Sequence, residues 1–427
     1  MIRSTVGTVR RAVCLSAAIM SAGFPTGALG QIATDARPQP PFEWRDHPTI
    51  HIGDAAEIAV RARFQFDADA GVTEGEDISQ GLDFARRRVG VEGVLFKVVE
   101  FQVEGELRRD EPWRDVYANY RRSGALQVQA GQFKLPFSLD ENASATRLNF
   151  VYRSLAATHL APGRDRGVML HGRLLRRAVR YEAGVFDRDG RNARTRDPGL
   201  VAAGRTVALR VRVAPFAASR GALGDVQGGV AWTSGDVAEG YPGVRGKTVL
   251  NATFYPAHVW VNGTRRRMGT ELRWRTGPFS IETEYIRVST ERLGESVEDT
   301  DLPPLVAAGW YMSGTWVLTG ERKSDDLDKP RRPFLRGGVG AIEIAVRTEA
   351  LAFRTAASGE PPSSSPRAAV VRGNRDRADT MGVTWYLNRW IKVQGNLVRE
   401  RLADPELGPL PSVGPFWSRL LRLQFTL

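Results

Sequence analysis

AGQFKLPFSLDENASATRLNFVYRSL, running from Ala130 to Leu155, is the stretch that decides the fold. It opens as a strand. Leu126, Val128 and Ala130 alternate with Gln127, Gln129 and Gly131, the two-residue period of a half-buried sheet. Phe133-Lys134-Leu135-Pro136-Phe137 ends that strand, because proline donates nothing to a ladder. The segment beyond it is long and rich in Asn, Ser and Arg. Its Leu139, Leu148, Phe150, Val151, Tyr152 and Leu155 are too apolar for a disordered tail, so it is expected to fold back against the rest of the chain.

Working outward, the same alternation recurs along the chain. Ile58, Val60, Ala62, Phe64 and Phe66 share a face opposite Glu57, Arg61, Arg63, Gln65 and Asp67. Val89 and Val91 oppose Arg86, Arg88 and Glu92, and Val207, Leu209, Val211 and Val213 oppose Arg210 and Arg212. The last stretch sets Leu421, Leu423, Phe425 and Leu427 against Arg422, Gln424 and Thr426. Sixteen such segments are expected between residues 57 and 427, joined alternately by short turns and longer connections. Thr248 to Val261 is ambiguous and is assigned to a loop. Thr319 to Gly338 falls where a short turn belongs and has no account at this level.

The first 30 residues read as a secretory signal peptide: Arg3, Arg10 and Arg11, then an apolar stretch, then small residues before Gln31. Its removal takes away Cys14, the only cysteine, and lowers the formal charge from +12 to +9. Residues 31–56 are expected to form a short Pro-rich lead-in. An exported chain without disulfides needs another device to hold it together, such as a closed sheet. No stretch has 18 uncharged apolar residues, which excludes helical spans but not barrel strands. Charged side chains on one face of nearly every strand, and aliphatics and aromatics on the other, suit a lipid-facing cylinder with a polar interior. The predicted fold is therefore all-β, a 16-stranded antiparallel transmembrane β-barrel with a folded-back loop over 134–165. An export signal also makes nucleic acid a poor partner for the basic chain. Outer-membrane lipid and anionic solutes fit better.

Several segments, in order along the chain, resemble the phosphate-selective porin O and P family. They are the Gly-Gln-Phe-Lys-x-Pro-Phe pattern at 131–137, Phe84 to Gly93, and Arg266 to Glu271 followed by Gly277-Pro278-Phe279. Leu318-Thr-Gly-Glu321, Gly340-Ala-Ile-Glu343 and Ala378 to Asn388 complete the set. Ile342 departs from the usual Trp, and Leu427 from the usual terminal Phe. The resemblance implies an outer-membrane porin, a homotrimer, in which the matching loop dips into the lumen and narrows it. It also implies passage of phosphate or polyphosphate, though membership of a family does not fix the solute.

Arginine suits oxyanions because its planar fork hydrogen-bonds two oxygens at once. Lys134, Arg147 and Arg153 are the expected constriction cations, with Arg61, Arg63, Arg86, Arg88, Arg210 and Arg212 lining the wall. The plain alternative is that the strand arginines pair with lumen acids and fill space. His47, His51, His159, His171 and His258 have no metal-ligand spacing and no Gly-x-Ser-x-Gly elbow is present, so neither cofactor nor catalysis is expected. Asp325, Asp326 and Asp328 read as a solvated charge run. Two further readings stay open: a porin for other small solutes, and a plugged barrel that binds a partner through the loops at 234–266 and 351–378.

Overall fold

The alternation continues as a closed ladder. The computed structural model describes residues 40–44, 47–73, 76–107, 112–190, 204–219, 221–240, 244–255, 258–324, 329–407 and 414–427. The expected signal peptide and Asp325, Asp326 and Asp328 lie outside the described residues.

The strands are β1 (Phe42–Trp44), β2 (Pro48–Ile52), β3 (Ala56–Thr73), β4 (Glu76–Leu95), β5 (Val99–Glu106), β6 (Trp113–Arg121) and β7 (Gln127–Lys134). Then come β8 (Arg164–Leu174), β9 (Val179–Phe186), β10 (Thr206–Val213), β11 (Val226–Gly240), β12 (Gly246–Lys247), β13 (Thr253–Tyr255) and β14 (Val261–Thr276). The series ends with β15 (Phe279–Arg292), β16 (Leu302–Val317), β17 (Ala341–Thr355), β18 (Asn374–Tyr386), β19 (Ile391–Leu402) and β20 (Phe416–Thr426). β3 to β11 and β14 to β20 form a 16-stranded antiparallel barrel, each strand paired with the next. β20 closes onto β3, from Trp417 opposite Val72 to Thr426 opposite Arg63.

Side chains sort by parity. In β10, Val207, Leu209 and Val211 are exposed on the outside, while Thr206, Ala208 and Arg210 are buried inside. In β20, Leu421, Leu423 and Phe425 are exposed, and Ser418, Arg422 and Gln424 are buried. This inversion of a soluble core is what a hydrocarbon solvent demands.

The structure revises the sequence reading of two stretches and gives an account of a third. The lead-in is not merely extended: β1 and β2 form a hairpin whose Thr49 to Ile52 pair with Ala56 to Ala59 of β3, beyond the end of β20. The 234–266 connection is largely ordered, since β11 runs to Gly240, β14 begins at Val261, and β12 with β13 makes a small hairpin between them. Within 319–338, residues 319–324 fold back against the barrel. Lys323 N–H donates to the Gly277 carbonyl at 2.8 Å, and its ammonium reaches Asn149 Oδ1 at 2.7 Å and the Glu343 carboxylate.

Residues 135–163 enter the lumen. The Leu135 N–H donates to the Gly163 carbonyl at 2.8 Å, which closes the neck. Two short helices follow, α1 (Leu139–Asn142) and α2 (Leu155–Leu160), capped by the hydroxyls of Ser138 and Ser154. Phe137, Leu155, Ala156 and Leu160 pack into a buried cluster with Ile286, Leu305, Leu351 and Phe353 of the wall. Lumen-facing glycines make the room. A Cβ at Gly309 would meet the Ala156 Cβ at 2.9 Å, and one at Gly382 would meet the Phe150 ring at 3.3 Å.

Gly309→Leu should therefore push α2 off the wall, at the cost of about 1–3 kcal/mol typical of overpacking. The variant is expected to refold as a barrel with a lower thermal midpoint and an altered single-channel conductance. Conductance and midpoint both matching the parent would show that the loop does not depend on that space.

Candidate permeation site

Hydrogen bonds hold the loop across one half of the lumen. Glu284 of β15 accepts from the N–H groups of Leu139 and Asp140 at 3.1 and 3.3 Å. Glu349 of β17 accepts from Leu155 N–H at 2.6 Å and Tyr152 Oη at 3.0 Å. Asn396 and Lys392 of β19 bond Val151 N–H and the Thr146 carbonyl, at 2.7 and 2.8 Å. Arg347 of β17 lies over the rings of Phe150 and Tyr152, 4.4 and 4.2 Å from their centroids. These partners come from β15, β17 and β19, while the opposite wall reaches the loop through Gln65 of β3, whose amide donates to the Ala145 carbonyl.

Along that wall runs a cavity of about 1160 Å³. Its lining, among the described residues, has thirteen Arg and Lys side chains against six carboxylates. A second space of about 350 Å³ lies beside it, and Asn142, Ser144, Arg147, Tyr152, Arg180 and Glu182 border both.

The strand arginines named from sequence all reach one or other space. Most are paired. Arg61 bonds Glu92 at 2.5 Å, Arg63 lies 3.8 Å from Glu104, and Arg88 bonds Glu106 at 2.7 Å. Arg210 bonds Glu271 at 2.7 Å, and Arg212 lies 3.5 Å from Glu182. Arg86 differs. Its hydrogen-bond partner is the neutral Gln65, and its charged neighbours are the arginines at 422, 88, 153 and 63.

The three loop cations divide by role. Lys134 donates to the Glu141 and Ala143 carbonyls, with the Glu141 carboxylate 3.7 Å away. Arg153 donates to the Asp140 and Ala143 carbonyls and lies 3.4 Å from the Glu141 carboxylate. Both line the cavity, yet both also tie α1 to the neck of its own loop, because the last carbonyls of a short helix need donors. Both of the expected constriction cations are thus held by carbonyls of their own loop while lining the cavity. Arg147 is exposed, and among the described residues its guanidinium has neither a hydrogen bond nor an ion pair. Gln65 Nε2 donates to the Ala145 carbonyl at 3.3 Å and Gln65 Oε1 accepts from Arg86. Arg86 is therefore joined, through one glutamine, to the loop segment that carries Arg147.

Sequence reasoning missed Arg164, Arg180 and Lys323. Arg164 forms a two-point bond with Asp115 at 2.7 and 3.1 Å, and Arg180 bonds Glu182 at 2.9 Å. Both sit near strand starts, where one apolar neighbour is too few to establish a phase. His171 points inward and bonds Asn119 Oδ1 at 3.0 Å. His159 sits in α2; burial, with the Lys247 ammonium nearby, pushes its imidazole down to about 4, so it adds no charge at neutral pH.

The architecture matches solved outer-membrane proteins at low identity. OmpT of Vibrio cholerae aligns at a TM-score of 0.56 and 11% identity over 88% of this chain and 99% of its own. The outer membrane channel DcaP of Acinetobacter baumannii gives 0.56 and 9% over 87% and 98%. Among curated proteins, Porin O of Pseudomonas aeruginosa is 23% identical over 136 residues, 31% of this chain and 29% of that protein. The model of the family "Phosphate-selective porin O and P" matches residues 58–401, most of the barrel. An outer-membrane barrel with an inward loop, matched over that span, belongs to the phosphate-selective porin O and P family.

Proposed function

We propose that this outer-membrane porin passes small anions by diffusion, phosphate and polyphosphate first, and that Arg147 and Arg86 are the groups the anion meets at the narrow part. The observation that carries this reading is the charge of the lumen: thirteen cations to six carboxylates around the main cavity, with two arginines left without a carboxylate partner. The family's description supports phosphate as the solute. The pairing of the other arginines argues for a shallow site. An anion at a paired arginine competes with a fixed carboxylate, so block by phosphate should lie on the order of millimolar. The chain acts as a channel, not an enzyme; His171, which points inward from a strand, is engaged with Asn119 rather than with a serine.

The assembly is proposed to be a homotrimer. β5, β7, β9 and β10 each have 8 residues. Such a strand is about 26 Å long and rises about 20 Å when tilted, less than the apolar band of about 25 Å. A wall that low fits against another copy better than against lipid. A trimer form is also known for OmpT of Vibrio cholerae.

In planar bilayers under a KCl gradient, the reversal potential should have the sign of anion selectivity. The preference should shrink between 0.1 and 1 M salt, as the screening length falls from about 10 to 3 Å. Cation selectivity would sink the anion part of the proposal while leaving the porin.

Arg147→Gln and Arg86→Gln should each lower the anion-to-cation permeability ratio by about half or more, with an unchanged thermal midpoint. Lys134→Ala and Arg153→Ala should instead destabilise by about 1–3 kcal/mol each, since buried carbonyls lose their donors. Unchanged selectivity in both Gln variants would return the role to the paired wall arginines.

A further inference from the structure

A cluster of arginines interrupts the apolar outer face of the barrel at one end. At the long-loop end of β17 to β20, Arg354, Arg375, Arg377, Arg399, Arg401 and Arg419 are all exposed on the outside. Register brings them together. Arg377 stands directly opposite Arg401, and Arg375 opposite Ala352, two residues from Arg354. Arg399 faces Trp417, and Arg419 faces Leu397 one diagonal step away. The carboxylate on this patch is Asp379, 3.9 Å from Arg377, and it also accepts from Thr348 Oγ1 at 2.7 Å. Among the described residues the other five arginines have no ion pair.

Two like charges directly opposite on one sheet face repel. An arginine on the lipid side costs little only near the interface, about 0–1 kcal/mol against about 2–4 at the midplane. These arginines meet that condition by position. Arg354 is the penultimate residue of β17, Arg401 the penultimate residue of β19, and Arg375 the second residue of β18. On the midplane side of them lie exposed Val346, Met381, Leu397 and Leu421. A row of guanidinium forks above an apolar band is complementary to a lipid with phosphate in its headgroup.

We propose that this patch is a binding site for a phosphorylated outer-leaflet lipid, its phosphate held between Arg377, Arg401 and Arg399 and its acyl chains on the apolar band below. The proposal rests on the outer-membrane location and not on the anion reading of the pore.

The test is native mass spectrometry of the purified barrel in neutral detergent, titrated with bis-phosphorylated lipid A and, separately, with phosphatidylcholine. The parent should retain lipid A in preference, and millimolar inorganic phosphate should not displace it. Arg375→Gln, Arg377→Gln, Arg399→Gln and Arg401→Gln together should weaken lipid A at least about tenfold while bilayer selectivity stays at the parent value. Arg399→Gln with Arg401→Gln should weaken it in the same direction, and Arg147→Gln should leave it untouched. Parent-like lipid A binding by the four-site and two-site variants, equal retention of phosphatidylcholine, or displacement by free phosphate would each overturn the site.

Discussion

Everything in this barrel depends on the ladder between β20 and β3. Hydrocarbon offers no partner to a backbone amide, so an open edge in the membrane would leave a column of donors and acceptors unpaired, each costing several kcal/mol. The final residues remove that edge. Ala62 and Leu427 exchange backbone bonds at 3.0 and 2.8 Å, and from there the register runs without interruption to Trp417 and Val72. Closure also fixes which parity faces inward for every other strand, because one step of slippage at the seam would turn Arg422 and Gln424 out to lipid and Leu421 and Leu423 into water. The seam is reinforced on the inner side, where Arg422 bonds Asp67 through both oxygens at 2.6 and 2.5 Å.

A closed sheet of sixteen strands leaves an interior too wide for side chains alone to fill. The chain solves this unevenly. On the β14 to β19 side the loop brings an apolar cluster inside, and glycines at 269, 309 and 382 keep the wall low enough to receive it. On the β3 to β9 side the apolar filling is a smaller cluster of Phe133, Leu135, Met169, Phe186 and Ala208, and the rest of the space is held by charge: Arg61 with Glu92, Arg88 with Glu104 and Glu106, Arg164 with Asp115. The half that is packed positions the loop, and the half that is charged borders the water. Lys323, rising from the turn side to Asn149 and Glu343, braces the loop from below.

The barrel was legible in the sequence because lipid on one side and water on the other impose a period of two wherever a strand crosses the membrane. It was illegible where that contrast ends. β16 begins at Leu302 and β14 at Val261, well before the clean alternation at Gly309 and Arg267, because there both faces meet loops and polar surroundings and the pattern fades while the ladder continues. The inward loop was legible as an apolar insertion after Pro136, but not its contacts, which join it to residues about 150 to 250 positions away, such as Glu284, Glu349 and Asn396. The same limit explains the split among the loop cations. Lys134, Arg147 and Arg153 look alike as residues. Only the turn of the loop places helix-end carbonyls before two of them and open water before the third. Glu141, seven residues after Lys134, was the one local sign that Lys134 might be occupied.

The pairing of the wall arginines bears on what kind of selectivity such a lumen can have. A site made of bare guanidinium groups would bind phosphate tightly and release it slowly, and conduction requires that a solute leave as readily as it enters. Here each approaching anion competes with a carboxylate already within about 4 Å of most arginines, so part of its attraction is cancelled before it arrives. What remains is the excess of positive charge and, among the described residues, arginines with no fixed anion of their own, Arg147 and Arg86 at the main cavity and Arg273 at the smaller space. Pairing thus performs two tasks with the same bonds. It lets a narrow charged interior exist without collapsing or self-repelling, and it lowers the depth of every well but those at the narrow part. On the proposed anion reading, a porin built this way would discriminate by sign over the whole wall and hold its solute briefly at one level, where the folded-in loop meets β4.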